Sequence, residues 1–208
     1  MPEQKQTFDV ATLGNYTKDT IVTAAGTQHA DGGGVTYSAH AAHTLGRKVA
    51  AVTRLAEEDF HVVRSLEDFG ITVFATATPS STLMRLEYPT DNPDERILTV
   101  ADTAGSFTPD QVRDIDAKAF IISPSIRGEF PVETVQELRK KNAIISADAQ
   151  GFIRVRHPDG RLEHLPWPEQ GEVLAMIDVL KADVVEAEAL TGEADMKAAA
   201  RALAAQGP

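Results

Sequence analysis

The chain has 208 residues, a formal net charge of −11 and no cysteine. The acidity argues against a broad nucleic-acid surface, which needs cations to displace counterions. The lack of cysteine excludes disulfides, thiolate catalysis and cysteine-ligated metals. No apolar run is long enough to span a bilayer, and the N-terminus lacks a signal-peptide pattern. We therefore expect a cytoplasmic protein with neither nucleic-acid nor membrane partners.

Strand-like and helix-like segments alternate along the chain. Short apolar runs predict strands at 8–14, 48–53, 71–77, 82–88, 96–101, 119–123 and 143–149. Apolar spacing and capping residues predict helices over 34–45, over 57–69, near 107–112, from 131, near 170–179 and up to a stop at 207. A small hairpin is expected around 157–160. This alternation predicts one α/β domain over 1–208, layered around a mainly parallel sheet.

One part of the chain is richer in strands than the rest. The run 82–88 and the run 96–101 flank the turn cluster "PTDNPDE" at 89–95. Two strand-like runs around such a cluster predict a β-hairpin. We interpret it as a β-rich insertion in the α/β domain.

Three glycines, Gly32 to Gly34, stand directly before the helix predicted over 34–45. Glycine lets the backbone approach a ligand closely, and the free N–H groups of a helix N-terminus suit an oxygen-rich ligand. The alternative is a simple tight turn. The run is not a dinucleotide fingerprint, because Tyr37 stands where another glycine would be needed, and no Walker A sequence follows.

Acidic residues follow two of the predicted strands. Asp19 comes shortly after the first strand, where a carboxylate can accept hydrogen bonds from sugar hydroxyls. Asp183 and Glu186 lie three residues apart where a strand enters a helix, a pair that can hold waters around magnesium. A helix cap or solvated loop acid is the alternative for Asp19, and an acid-rich helix N-terminus for the other two.

Three histidines, His29, His40 and His43, raise the question of a metal site. No carboxylate completes an obvious ligand set with them, and the last two fall beside the apolar stripe of a predicted helix. We favour a structural role for these histidines and expect no directly bound metal.

In their order and spacing, these pieces resemble the PfkB (ribokinase-like) family of carbohydrate kinases. The likeness is carried by "GNYTKD", "GGGVTYSAHAAHTLG", "VAAVTRLAEEDFHVVRSLEDFGI", "ERILTVADTAGSFT" and "LKADVVEAEALTG". The resemblance implies a three-layer α/β/α fold with a small β lid from approximately 20–30 and 82–101. Such a lid can also pair with a second copy in a homodimer.

The resemblance also implies roles for single residues. The substrate-binding candidates are Asp19, Gly33, Gly34, Tyr37 and Glu129, and the magnesium and phosphate network candidates are Asp183 and Glu186. Tyr37 departs from the sugar-binding Asn of ribokinases, and Asp183 replaces the Asn of the family's N-x-x-E motif. A further strand end carries Asp148, Gln150 and Arg154, to which we assign no role.

The activity implied is magnesium-dependent transfer of the ATP γ-phosphoryl group to a hydroxyl of a sugar, nucleoside or sugar-like polyol. The family's D-T-x-G-A-G-D signature, which carries the catalytic base, does not occur in this sequence. We expect it beyond position 208, so that this chain is an inactive N-terminal fragment. The alternatives are a non-catalytic sugar- or nucleoside-binding module and a Rossmann-like oxidoreductase, against which the missing dinucleotide fingerprint argues.

Overall fold

The computed structural model describes residues 7–92 and 95–208. The strands are β1 Thr7–Leu13, β2 Thr17–Thr23, β3 Gly26–Gly32, β4 Val49–Ala56, β5 Thr72–Thr78, β6 Thr82–Glu87, β7 Ile97–Asp102, β8 Asp116–Ile122, β9 Ile144–Asp148, β10 Arg154–Arg156, β11 Leu162–His164 and β12 Val179–Lys181. The helices are α1 Gly34–Thr44, α2 His61–Asp68, α3 Pro109–Arg113, α4 Val132–Arg139, α5 Gln150–Ile153, α6 Gln170–Leu174, α7 Val184–Thr191 and α8 Met196–Ala204.

Six parallel strands form the central sheet, in the order β12-β9-β8-β1-β4-β5. Strand β4 shows why the sheet is buried on both faces. Its Val49 and Ala51 belong to a core cluster that includes apolar residues of α1 and α2. The alternate residues Ala50 and Val52 face a second cluster with residues of α3, α4, α6, α7 and α8. Because successive side chains of a strand point to opposite faces, helices cover both sides, and the predicted three-layer α/β architecture is confirmed.

A second sheet of four strands has the order β3-β2-β6-β7. It consists of two antiparallel hairpins, β2–β3 and β6–β7, joined by parallel pairing of β2 with β6. The hairpin predicted from 82–88 and 96–101 is therefore present. Its expected tip at 89–95 includes Pro93 and Asp94, which lie outside the described residues. We call this sheet the small sheet.

The prediction of a helix over 57–69 is wrong for the first turn. Residues Glu57–Asp59 form a short 3₁₀ turn, and α2 begins only at His61. The buried side chain of Asp59 explains the difference, because it accepts hydrogen bonds from Ser81 Oγ at 2.6 Å and from Lys18 Nζ at 2.8 Å. These contacts hold the turn against the small sheet.

The helix predicted near 170–179 is also shorter than expected and ends at Leu174. Asp178 explains its early end. Its carboxylate accepts hydrogen bonds from the Ile145 backbone N–H at 2.8 Å and from Arg139 Nη1 at 2.9 Å. These bonds hold the chain beside β9, where β12 starts at Val179. The hairpin expected around 157–160 is present as β10 and β11.

Within residues 7–92 and 95–208, every helix is too short or too polar to cross a bilayer.

Candidate functional site

A cavity of about 500 Å³ lies where the carboxyl ends of the central strands meet the small sheet. Its lining residues come from strand ends, from the start of α1 and from the small sheet: Thr17, Asp19, Gly33, Gly34, Tyr37, Ser38, Met84, Leu86, Arg96, Leu98, Ser123, Ser125, Asp148, Gln150, Arg154 and Lys181. In parallel α/β sheets, ligands bind at this end of the strands. A volume of this size suits a small molecule.

Asp19 lies on β2 of the small sheet, opposite Met84 of β6, and lines the cavity. Its Oδ1 atom is buried and has no hydrogen-bond partner among residues 7–92 and 95–208. Burial raises the pKa of Asp19, the Thr17 hydroxyl opposes that rise, and the Asp31 carboxylate adds to it. A buried carboxylate oxygen without a donor is costly, and a ligand hydroxyl would supply the missing hydrogen bond.

The glycine run lies between Asp19 and the central sheet, and the protein's own atoms explain it. A Cβ on Gly33 would lie 2.6 Å from the Asn15 carbonyl oxygen, and Gly33 has a positive φ of 98°. A Cβ on Gly34 would lie 2.6 Å from Ser123 Cβ. A Cβ on Gly32 would clash with the Asp19 carboxylate. Close packing within the chain therefore requires the glycines, while Gly33 and Gly34 still form part of the cavity wall.

Tyr37, one turn into α1, lies at the rim of the cavity. Its side chain is 63% exposed, so it can contact a ligand without being held in one position by the core. No described contact assigns it a specific role.

Glu129 is buried behind the cavity and is not among the residues that line it. Its Oε2 accepts a hydrogen bond of 2.7 Å from the backbone N–H of Ser125, which does line the cavity. Its Oε1 is buried without a partner in the described part of the chain. Burial raises the pKa of Glu129 to about 7. Glu129 therefore supports the cavity wall through its hydrogen bond with Ser125.

Asp183 and Glu186 form the capping box of α7. The Asp183 backbone N–H donates to Glu186 Oε2, and the Glu186 N–H donates to Asp183 Oδ1, each at 2.8 Å. Neither residue lines the cavity, but Lys181 connects the box to it. Lys181 Nζ lies 3.6 Å from Glu186 Oε2 and 3.4 Å from Asp148 Oδ2.

The described residues do not assemble a metal centre from their own side chains. No group of three or more potential histidine or carboxylate ligands occurs in residues 7–92 and 95–208. His40 and His43 pack against the ring of Phe69, with centroid distances of 4.6 and 5.1 Å. The capping box and Lys181 already engage one oxygen each of Asp183 and Glu186. The role of Asp183 and Glu186 in a magnesium and phosphate network stays a prediction.

Three cationic side chains to which sequence analysis assigns no role also line the cavity, namely Arg96, Arg154 and Lys181. The sequence places Asp148, Gln150 and Arg154 at one strand end. It does not show that Arg96 and Lys181 lie in the same cavity. Arg96 precedes β7, and Lys181 ends β12, so these residues meet only once both sheets are assembled. Local sequence patterns carry no signal for such a meeting.

Several solved structures are similar to this chain. No family model matches the chain, and no curated protein sequence matches it. A pyrophosphate-dependent kinase in the ribokinase family, complexed with a pyrophosphate analog and myo-inositol, shares 31% identity at a TM-score of 0.87, over 95% of this chain and 69% of its own. A sulfate complex of a pyrophosphate-dependent kinase in the ribokinase family shares 32% identity at a TM-score of 0.85, over 95% and 70%.

A more distant structure shows the same fold. The ribokinase of Arabidopsis thaliana, complexed with ribose and ATP, shares 17% identity at a TM-score of 0.69, over 97% of this chain and 70% of its own. The two pyrophosphate-dependent kinases named above each share more than 30% identity with this chain, which covers more than two thirds of each of them. The chain belongs to the ribokinase (PfkB) family of kinases.

Proposed function

We propose that the cavity binds a cyclic polyol and presents one of its hydroxyls for phosphorylation. The observation that carries this proposal is the buried Oδ1 of Asp19 in the cavity wall, which has no hydrogen-bond partner in the part of the chain that the structure describes. A hydroxyl that donates to this oxygen would satisfy it without adding charge to the site.

The cavity has an apolar wall beside the polar Asp19 carboxylate, and this combination supports a ring-shaped acceptor. Met84, Leu86 and Leu98 of the small sheet line the cavity beside Asp19. A cyclic polyol has hydroxyls at its edge and C–H groups on its ring faces, so it matches one polar and one apolar wall. The small sheet then acts as a lid that covers the acceptor and excludes water.

The reaction itself is a phosphoryl transfer. The acceptor oxygen forms a bond to phosphorus, and the bond between phosphorus and the donor's bridging oxygen breaks. The donor remnant leaves with the electron pair, and the hydroxyl proton passes to a base, a role that the family resemblance gives to the D-T-x-G-A-G-D signature. The resemblance implies ATP as the donor, and the relatives above 30% identity are described as pyrophosphate-dependent. We therefore include both donors in the proposal.

Calorimetric titration of the 208-residue chain with myo-inositol and with ribose tests the acceptor. Replacing Asp19→Asn should weaken polyol binding about tenfold or more, because a hydrogen bond to a charged group contributes about 1.5–3 kcal/mol. The control is Asp102→Asn, which changes an exposed carboxylate of the same sheet outside the cavity. Equal affinity of wild type and Asp19→Asn, or no polyol binding at all, would contradict the proposal.

A further inference from the structure

The hairpin of β10 and β11 lies against the outer edge of the small sheet. Strand β7 is the last strand of that sheet, so one of its edges pairs with β6 and the other faces away from the sheet. On this outer edge, the Val100 backbone N–H donates to the Gly160 carbonyl oxygen at 2.8 Å, and Thr99 forms an antiparallel bridge with Arg161. The hairpin therefore covers an edge that would otherwise be open. We call residues 154–164 the edge hairpin.

Arg156 joins the edge hairpin to β7 through its side chain. Its Nε donates to the Val100 carbonyl oxygen at 2.8 Å, and its Nη2 donates to the Ala101 carbonyl oxygen. One planar guanidinium thus binds two successive carbonyl groups of β7. Gly160 makes the second close approach, because its φ is 85° and a Cβ there would lie 3.0 Å from the Val100 carbonyl oxygen. Both backbone groups of Val100 are therefore bonded to the edge hairpin.

The part of β7 that the edge hairpin holds also forms a wall of the cavity. Val100 is fully buried in an apolar cluster with Met84 of β6 and Ile126 of the loop after β8. Leu98 of β7 and Leu162 of the edge hairpin pack against this cluster. Met84 and Leu98 line the cavity as well. The position of this apolar wall therefore depends on where the edge hairpin holds β7.

The base of the edge hairpin is fixed to the central domain. The Arg127 backbone N–H donates to the Arg154 carbonyl oxygen at 2.8 Å. The Arg127 guanidinium donates to the carbonyl oxygens of Phe152 at 2.6 Å and Leu165 at 2.5 Å. The Leu165 N–H in turn donates to the Ile153 carbonyl oxygen at 2.9 Å. Because both ends of the edge hairpin are held in this way, its contacts with β7 attach the small sheet to the central domain.

We propose that the edge hairpin holds β7 over the cavity, and that Arg156 is a positioning residue for the apolar wall that faces the acceptor. This inference rests on the proposed function, because it takes the wall to cover a polyol ring. Arg156 is not among the residues that line the cavity, so it acts through Val100. When Arg156 releases β7, Met84 and Leu98 can move away from the ring, and the bound polyol loses apolar contacts.

Hydrogen exchange of the free 208-residue chain tests the attachment of β7 without any ligand. In Arg156→Gln, the β7 amides should exchange about tenfold faster, because hydrogen bonds from a charged donor protect the strand against local opening. Exchange of β1, in the central sheet, should stay as in the wild type. Arg156→Lys keeps the charge and loses the planar fork, so its β7 exchange should fall between the two. The matched control is Arg85→Gln, the same change of charge on β6, where Arg85 Nη2 donates to Glu87 at 3.2 Å.

Gly160→Ala provides a second variant, which leaves Arg156 in place. Its Cβ would press on the Val100 carbonyl oxygen at a backbone φ that alanine rarely adopts, so β7 exchange should again be faster than in the wild type. Calorimetric titration with myo-inositol then tests the positioning role. Arg156→Gln should weaken myo-inositol binding about threefold or more, although Arg156 does not reach the ligand, and Arg156→Lys should restore part of the affinity.

Wild-type β7 exchange in both Arg156→Gln and Gly160→Ala would overturn the inference. Equal acceleration of β7 and β1 would assign Arg156 to general stability and also overturn it. Faster β7 exchange with wild-type affinity for myo-inositol would overturn the positioning role. A wild-type chain that does not bind myo-inositol, while β7 exchange is faster in Arg156→Gln, would support the attachment of β7 and count against the proposed function instead.

Discussion

Asp183 and Glu186 exchange two hydrogen bonds of 2.8 Å, each side chain accepting from the backbone N–H of the other. The two acids predicted to hold waters around magnesium therefore also start α7. Since Glu186 is buried and Asp183 is exposed, the box joins the interior to the surface at the end of β12.

The capping role makes a prediction for Asp183. Asp183→Ala should lower the free energy of unfolding by about 1 kcal/mol, whereas Asp183→Asn, which restores the Asn of the family motif, should change it by less than about 0.5 kcal/mol. Urea unfolding of the two variants measures the difference. Asp195→Ala at the start of α8, where Asp195 Oδ1 accepts the Ala198 N–H at 2.8 Å, is the matched cap control. Equal stability of the Ala and Asn variants would contradict the prediction.

Glu129 should make stability depend on pH. Its pKa of about 7 in the folded protein exceeds the ordinary value of 4.5, so the folded state binds the proton more tightly. Stability is then fully present below about pH 4.5 and falls as pH rises towards 7, by on the order of 3 kcal/mol. Glu129→Gln should remove this slope. Unfolding from pH 5 to pH 8 measures the difference between the two proteins.

The chemical reason is burial of the Glu129 carboxylate, which raises its pKa, while the backbone N–H of Ser125 and the side chain of Asn15 oppose that rise. A proton on Glu129 removes the buried charge and leaves the Ser125 hydrogen bond in place. Glutamine supplies a donor at every pH and still accepts the Ser125 N–H. Glu133→Gln, an exposed change on α4, should keep the wild-type slope. A Glu129→Gln protein with the same pH dependence as wild type would disprove this account.

The packing of Gly34 gives a third prediction. Gly34→Ala would bring its Cβ to 2.6 Å from Ser123 Cβ, so we expect a loss of about 1–3 kcal/mol in stability. Removing the opposing atom with Ser123→Gly in the double variant should restore part of the loss. Gly171→Ala meets nothing within 4 Å and should be neutral or slightly stabilising. Thermal unfolding of wild type, Gly34→Ala, Ser123→Gly, the double variant and Gly171→Ala tests this, and additive losses in the double variant would refute the contact.

The purified 208-residue chain should bind the acceptor without turning it over. Incubation with myo-inositol, magnesium and either ATP or pyrophosphate should give no phosphorylated product by phosphorus NMR. The reason is that the signature carrying the family's base does not occur in the sequence, and the cavity carboxylate of Asp148 lies within 4 Å of Lys181 Nζ. Product formation by the chain alone would prove the prediction wrong.

Local patterns were sufficient for most of the fold. Alternating apolar residues and turn clusters predicted five of the six strands of the central sheet and the β6–β7 hairpin, because each depends on residues close in sequence. Strand β12 was not predicted. The helix errors at 57–69 and 170–179 have distant causes: Asp59 binds Ser81, and Asp178 binds Ile145. No local window contains those partners. Membership of the ribokinase family also argues against the oxidoreductase alternative.

The candidate site was predictable only in part, for the same reason. Asp19, Gly33 and Gly34 belong to motifs with recognisable spacing, and the structure brings them to one cavity. Arg96 and Arg154 lie in unremarkable sequence and meet through tertiary structure alone. For the glycine run, the sequence suggested contact with a ligand. The structure shows instead that side chains on Gly33 and Gly34 would clash with Asn15 and Ser123.

The parallel pairing of β2 with β6 sets an order of events during synthesis. Residues Thr17–Val22 cannot complete their hydrogen bonds until Thr82–Glu87 have been made, more than one βαβ unit later. A nascent chain that has emerged only as far as β5 thus carries Asp19 on a two-stranded ribbon with an open edge, and such a ribbon is marginally stable in water. The side of the cavity formed by β2 and β6 is therefore completed late in folding. Its carboxylate, Asp19, is nevertheless among the first residues to leave the ribosome.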